Sequence, residues 1–490
     1  RSDADVMLEE ERIDELLEAA RLAGISTSGL ARAAKLVRKK ARAIWRLKLG
    51  RGDVADLPAM PVELKKDAAP LPKPYMRRYS SAEMAYWRIV IDELMEAKVI
   101  RPSDATEVSP SNLVKKKVDG KVSSTIFRPI IDLRERNKSA KDIYFALPKL
   151  DECIHMLKGA TCFAAGDKVK GYFQVLLDAA GRQYMAFVCP IGVFEYCRLP
   201  MGYKNSAAWF QRCLQKILEK LVYNGLLQYI DDTLLYGKDE DELLDNLEQY
   251  FDILIKHNVK LHPGKFVLFA KELPWCGKNV SAKGIMPTKE SIATALEAPE
   301  PTTLAELMSY VFGVAWFRSH LPRFAEVAAP LYDLWNDALA PFKRKSKQRA
   351  AKFKLADLPN WDKVGRTAFK AVKQSMAEAL RTAYFDPELK VCVFADASEE
   401  FWCLVLTQCK PGDEKLPWDQ QEGKHRLLFL KSGRFRHAQY RWPIVDKESY
   451  CYGELLIALS QWINGGKHPA AFFTDHKNLI AIFDCNARED

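Results

Sequence analysis

The sequence predicts a mixed α/β (α+β) architecture divided among several domains, and three observations carry that expectation. Its 490 residues exceed what one hydrophobic core organises, since single cores stop growing at roughly 250–300 residues. Short apolar runs with strand patterning alternate with stretches of helical spacing: Leu226, Leu227 and Ile230 precede Asp231-Asp232, Leu234, Leu235 and Tyr236 follow it, and Leu243, Leu244, Leu247, Phe251 and Leu254 come next. After a largely helical stretch, a buried-strand signal restarts at Val391-Cys392-Val393-Phe394, as a new domain would.

From the N-terminus, residues 10–50 read as two helices. Ile13, Leu16, Leu17 and Ala20 form one stripe ending at Gly24; Leu30, Ala34, Val37, Ala41 and Ile44 form another ending at Gly50. The second carries Lys35, Arg38, Lys39, Lys40, Arg42 and Arg46, a basic face that suits solvent first and nucleic acid second. Residues 51–79 hold several prolines and end in Arg77-Arg78-Tyr79, the pattern of an extended linker. A helix then runs through Trp87, Ile91, Leu94 and Met95 to Arg101-Pro102-Ser103. Lys115-Lys116-Lys117 with Asp119-Gly120, followed by Arg128-Pro129-Ile130-Ile131, reads as a charged hairpin. A phosphate group needs such closely spaced cations, and a solvated hairpin has the same composition.

Tyr229-Ile230-Asp231-Asp232 reads as strand, acidic turn, strand. Adjacent aspartates at a hairpin tip repel each other and help no core, unless a hard cation such as magnesium neutralises them. A lone Asp-Asp turn is also compatible with plain solvation. Asp167, in Phe163-Ala164-Ala165-Gly166-Asp167, supplies a third carboxylate upstream. In Leu199-Pro200-Met201-Gly202-Tyr203, Gly202 permits close backbone approach, and Ala207-Ala208-Trp209-Phe210 starts a helix.

His262-Pro263-Gly264-Lys265-Phe266 closes the helix that follows the aspartates. Residues 288–385 are expected to be largely helical, with Thr303 and Glu306 as a capping box ahead of Leu307, Tyr310, Val311 and Val314. The basic run from Lys343 to Lys354 fits a disordered loop or a nucleic-acid-facing one equally. Beyond it, one strand ends in Asp396-Ala397-Ser398, another in Asp475-His476, and Glu448 opens a helix with Leu455, Ile457 and Trp462. Acids at two strand ends and a helix start can bind two metals and direct water at a phosphodiester.

On these motifs the chain resembles the reverse transcriptase and RNase H region of gypsy-class LTR retrotransposon polyproteins, over roughly residues 50–490. Asp167 with the aromatic Tyr172 five residues on, and the Tyr-x-Asp-Asp hairpin about sixty residues further, are similar to that family's palm. Leu273-Pro274-Trp275-Cys276-Gly277 and Gly284-Ile285-Met286-Pro287 resemble its primer grip. The resemblance implies a right-hand polymerase of fingers, palm and thumb, joined by a helical connection to an RNase H-like domain. Its divisions would be a helical segment at 1–50, a linker at 51–79, fingers and palm at 80–287, thumb and connection at 288–385, and the RNase H-like domain at 386–490. It implies RNA-directed DNA synthesis with two Mg2+ ions on Asp167, Asp231 and Asp232. Lys116 and Arg128 would clamp the incoming triphosphate, Tyr172 would be the steric gate against a ribonucleotide's 2′-hydroxyl, and Met201 and Gly202 would support template and incoming base. Val118 is one residue extra relative to the family's pattern, which leaves open which lysine makes the contact.

In the last domain the implied ligands of a further two Mg2+ ions are Asp396, Glu448 and Asp475, with Glu454 the runner-up for Glu448. The family's fourth aspartate is not recognisable in the fifteen residues after Asp475, so this domain is expected to be truncated. The implied partners are an RNA or DNA template-primer, an RNA–DNA hybrid and deoxynucleoside triphosphates, and the implied location is cytoplasmic, within retroelement particles, with nuclear access.

Bulk properties agree. A net charge of +10 and a pI near 8.9 favour a polyanionic partner, although proteins that bind none share such values. Eleven cysteines without a Cys-x-x-Cys pair argue against a zinc module and a disulfide framework and suit a reducing compartment. The eight histidines show no ligand spacing, and His476 reads as a helix-start residue. No run approaches a membrane span and no secretory segment opens the chain, so a soluble protein is expected. Two other readings are a non-catalytic RNA-binding scaffold, against which the three palm aspartates speak, and an RNA-templated RNA polymerase, which Tyr172 disfavours.

Overall fold

The computed structural model describes residues 3–75, 77–118, 121–476 and 479–480; Asp119 and Gly120 of the basic hairpin, and the side chain of Lys116, lie outside the described residues. The chain forms two compact units, residues 1–154 with 159–271, and residues 155–158 with 272–490.

The first unit contains two sheets. One has the spatial order Ile100–Pro102, Gly192–Tyr196, Ala186–Cys189, Ser109–Val118, Lys121–Ile131. The last two strands form the basic hairpin, whose register breaks between the pairs Lys115–Phe127 and Lys117–Val122. The ladder is therefore irregular where the lysines sit. The other sheet has the order Leu226–Tyr229, Asp232–Gly237, Cys162–Asp167, Val267–Ala270, antiparallel throughout. Its apolar residues Cys162, Ala164, Leu226 and Leu235 are buried against Leu243, Leu244, Leu247, Tyr250, Phe251 and Leu254 of the helix Glu240–Lys256, the face that the periodicity predicts.

The two N-terminal helices are Asp3–Leu22 and Thr27–Ile44. The second packs on Glu240–Lys256, and much of its basic face meets carboxylates rather than solvent. Lys40 is buried between Glu248 at 3.3 Å and Asp252 at 2.7 Å. Arg32 pairs with Asp241 and Asp245, and Arg38 with Asp14. Residues 51–68 are extended, as expected, but packed. Met60 and Val62 are buried, Met60 N donates to Leu176 O at 2.9 Å, and Lys141 N donates to Glu63 O at 2.9 Å.

In the second unit, the strands Glu272–Trp275, Lys278–Ser281 and Gly284–Pro287 form a small antiparallel sheet. A helical layer follows, with Lys289–Glu297, Leu304–Ala315, Phe324–Ala338 and Arg366–Ala377 around Leu307, Val311, Leu331, Phe369 and Val372. The Thr303/Glu306 capping box is present. The basic run is ordered, not a disordered loop: Lys347–Ala350 is a short helix, Ala350 is fully buried, and Leu304 N donates to Phe353 O at 3.0 Å.

The last sheet has the order Arg426–Arg434, Phe401–Cys409, Lys390–Ala397, Ala471–Phe473, with only the final pair parallel. The helix Ile444–Asn464 covers it with Cys451, Leu455 and Trp462. Ile457, expected on that face, is 84% exposed. At about 100° per residue it lies roughly 200° from Leu455, whereas Trp462 returns to the same side.

Candidate active sites

In the first unit, strand register assembles the acidic site. Asp167 stands directly opposite Asp232 across the antiparallel ladder, and Tyr229 pairs with Asp232 on the other side, so Ile230 and Asp231 form a two-residue turn. Directly opposed side chains on such strands sit about 5 Å apart at Cβ, so the three carboxylates converge on one end of the sheet. Ile230 takes φ +54°, a left-handed conformation costly for a β-branched residue. The structure over-determines it: Ile230 N donates to Gln211 Oε1 at 2.6 Å, and Gln228 Nε2 donates to Ile230 O at 2.6 Å.

Burial, then Asp231 and Asp167, raise the Asp232 carboxyl above its usual range, against the opposing pull of Lys168 and Lys265. Sequence reasoning missed both lysines. Lys265, in the turn Pro263–Lys265, pairs with Asp167 at 2.5 Å. Lys168 is buried and donates to Gln228 Oε1 at 2.8 Å and to Thr233 Oγ1. Desolvation lowers it to about 7, although all three aspartates pull the other way. The adjacency of Lys168 to Asp167 was the available signal, but its inward direction, and its nearness to Asp231 and Asp232, depend on strand parity and register in the folded sheet.

Tyr172 sits in the short turn Gly171–Gln174, edge-on to Phe210 with ring centroids 5.4 Å apart. Burial, then the charge of Asp231, pushes its phenol up to about 12. A side chain at Gly171 would meet Phe210 Cζ at 2.9 Å, so glycine there lets the helix Ser206–Ile217, which carries Phe210, approach. Gly202 has φ +88°, and its carbonyl accepts from Asn137 Nδ2 at 2.9 Å. Met201 is 55% exposed beside it, and Arg128 is exposed on its strand.

In the last sheet, the parallel pair aligns Phe394 with Phe473, so Asp396 and Asp475 each follow two residues later at adjacent strand ends. Glu448, buried on the first turns of its helix, accepts from Thr474 Oγ1 at 3.3 Å. Its carboxyl is raised by burial first, then by Asp475, and less by Asp396, which puts the three acids within each other's field. Glu454 is instead engaged with Lys431 at 2.8 Å and the Tyr450 hydroxyl at 2.7 Å. Among the described residues no helix is long and apolar enough to cross a membrane.

Comparisons with known proteins agree with this geometry. Residues 114–280 match the family described as reverse transcriptase (RNA-dependent DNA polymerase), and residues 386–490 match the RNase H-like domain found in reverse transcriptase. The Tf2-3 polyprotein of Schizosaccharomyces pombe is 24% identical over 390 residues, covering 80% of this chain and 27% of the polyprotein. The Tf2-7 polyprotein gives the same figures: 24%, 80% and 27%. The chain thus spans about a quarter of the length of these relatives. Among solved structures, the foamy viral protease-reverse transcriptase in complex with RNA/DNA hybrid has a TM-score of 0.78 at 18% identity, over 98% of this chain and 60% of that one. The same viral protein in complex with double-stranded DNA gives 0.74 at 19%, over 96% and 97%. These establish the shared polymerase fold with its RNase H-like domain. The chain therefore carries a reverse transcriptase domain at residues 114–280 and the RNase H-like domain found in reverse transcriptase at residues 386–490, the reverse transcriptase and RNase H-like region of an LTR retrotransposon polyprotein.

Proposed function

We propose that this chain adds deoxynucleotides to a primer 3′ end on an RNA or DNA template, with Asp167, Asp231 and Asp232 as the catalytic carboxylates. The observation that carries this is the direct opposition of Asp167 and Asp232 across the ladder, with Asp231 in the adjoining turn. The donor set is all oxygen and holds mutually repelling charges, as the raised Asp232 reflects. That chemistry fits Mg2+. Two such ions on these carboxylates would supply charge neutralisation for the attacking and leaving oxygens.

The chain's own residues do the rest. Lys265 holds Asp167 in place through its ion pair and must release it when a cation takes the carboxylate. Tyr172 stays neutral at physiological pH and blocks a 2′-hydroxyl by bulk. Lys116 and Arg128 bind the triphosphate, and Met201 with Gly202 backs the template and incoming base. In the last domain, Asp396, Glu448 and Asp475 are the ligands for cleaving the RNA of a hybrid, again with two Mg2+.

On this reading residues 1–50 brace the polymerase, 51–79 connect to it, 80–287 are fingers and palm, 288–385 thumb and connection, and 386–490 the RNase H-like domain. The partners are a template-primer, an RNA–DNA hybrid and deoxynucleoside triphosphates, met in cytoplasmic retroelement particles with access to the nucleus. Support comes from the foamy viral protein, whose complexes contain RNA/DNA hybrid or double-stranded DNA. Primer extension by Asp231→Asn and Asp167→Asn is the test. Both should lose extension while keeping template-primer affinity, because binding rests on dispersed phosphate contacts; extension by either within about tenfold of wild type refutes the assignment.

A further inference from the structure

Cys392, Cys409 and His425 share no motif spacing, yet the sheet of the RNase H-like domain brings one donor atom of each within 4.8 Å of the other two. Topology is the cause. Cys392 stands opposite Thr407 on the neighbouring antiparallel strand, and Cys409, two residues beyond Thr407, faces the same side. His425 immediately precedes the strand Arg426–Arg434, which pairs with Phe401–Cys409 from its outer edge. The two sulfurs are 3.6 Å apart, and their residues are 0% and 1% exposed. Zinc–thiolate bonds of about 2.3 Å at a tetrahedral angle place two sulfurs about 3.8 Å apart, close to the spacing found.

The histidine is held in the tautomer a metal needs. Gln421 Nε2 donates to Leu416 O at 2.6 Å, which turns Gln421 Oε1 toward His425 Nε2 at 3.1 Å. Nε2 therefore carries the hydrogen, and Nδ1 keeps a lone pair that accepts the Thr407 hydroxyl at 2.8 Å. An imidazole with one N–H fixed by an oxygen and the other nitrogen basic is the usual arrangement of a metal-bound histidine. Burial lowers the basicity of His425 and raises both thiols, so a metal ion here must displace two thiol protons held more tightly than usual. The buried carboxylate of Glu414, paired with Lys390 at 2.9 Å, adds a negative field felt by all three groups.

We propose that Cys392, Cys409 and His425 form a zinc site within the RNase H-like domain, with a water in the fourth position. On binding, two S–H protons leave to solvent as two zinc–sulfur bonds form, and the Thr407 hydroxyl turns away from Nδ1. The two thiolates cancel the charge of Zn2+, so the buried centre is neutral overall and escapes the penalty of an isolated internal ion. Thiolates select zinc over magnesium. The site is separate from the acidic one, because Cys392 lies four residues from Asp396, about 13 Å along the strand. Its ligands bracket the connection at residues 410–424 and tie it to the central strand, which makes the metal a staple for this edge of the sheet.

The test uses the whole chain, reduced, stripped of metal and titrated with Co2+ under excess Mg2+ to saturate the carboxylate sites. The expected result is one equivalent of cobalt with strong tetrahedral ligand-field and thiolate charge-transfer bands, bleached by Zn2+. Cys409→Ser should cut the charge-transfer intensity per bound cobalt to about half, one thiolate of two remaining, and His425→Ala should weaken binding at least as much as Gln421→Ala, which should cost about 10–100-fold as the loss of an orienting partner does. Zinc should also slow proteolysis within residues 410–424. His425 is only half-buried, so His425→Ala and the wild-type titration decide the matter even if the cysteine variant fails to fold. A weak octahedral spectrum from wild type, a spectrum unchanged in His425→Ala, or a Cys392–Cys409 disulfide in the isolated protein overturns the site.

Discussion

Two residues beside the palm aspartates make separable claims. Tyr172 selects by volume: its ring leans on Phe210 and its phenol stays protonated, so charge has no part in the choice. Tyr172→Ala is expected to lower discrimination against ribonucleotides by roughly tenfold or more, the kind of specificity that a steric clash supplies. Equal discrimination by both proteins in single-nucleotide incorporation would reduce the ring to packing. Lys168 is the other case. Its folded value near 7 lies below the ordinary 10.5 because burial penalises the charge. Between those values the unfolded chain binds the extra proton, so this group adds stability as pH rises through the window and loses it as pH falls toward 7. Lys168→Met should remove that dependence and still fold, since the Gln228 carbonyl retains the Thr233 hydroxyl at 2.8 Å. Urea titrations of both proteins at pH 7 and pH 8.5 check the sign, and a wild-type protein that weakens more than the variant on going from pH 7 to pH 8.5 contradicts it.

At the scale of elements, the helix Thr27–Ile44 shows how a basic stripe finds its partner inside the molecule. Lys40 has one face on the core and its ammonium between Glu248 and Asp252 of Glu240–Lys256. Lys40→Glu would set a buried third carboxylate against these two half-exposed ones and should cost about 1–2 kcal/mol, screening by solvent at the acidic side keeping the figure low, whereas Lys40→Met should be near neutral. Chemical denaturation measures both. Template-primer affinity of Lys40→Met should match wild type; a clear loss would return this stripe to nucleic-acid contact.

For the whole molecule, the two acidic sites rest on different sheets with different cores. Asp396→Asn should therefore abolish hybrid cleavage and leave primer extension at the wild-type rate, while Asp231→Asn should do the reverse. A labelled RNA–DNA hybrid and a primer-extension assay run on the same preparations test this, and loss of both activities in either variant would show that one site supports the other.

The sequence by itself determined what short-range pattern encodes. Apolar alternation framed Asp231-Asp232 as a hairpin tip, the spacing of Leu243 to Leu254 specified a buried helix face, and the Thr303/Glu306 spacing specified a cap. It also placed Asp396, Glu448 and Asp475 on a strand, a helix start and a strand end. Only the tertiary structure decided which distant groups meet. The opposition of Asp167 to Asp232, the inward turn of Lys168, the reach of Lys265, the outward turn of Ile457 and the meeting of Cys392, Cys409 and His425 all depend on register between segments far apart in the chain. Register is fixed by burial summed over a whole ladder or helix face, and a one-residue slip would send every side chain of a strand to the opposite side. No local run of residues contains that sum, which is why an inventory of cysteine and histidine spacings points away from a metal while the folded sheet gathers three ligands around one point.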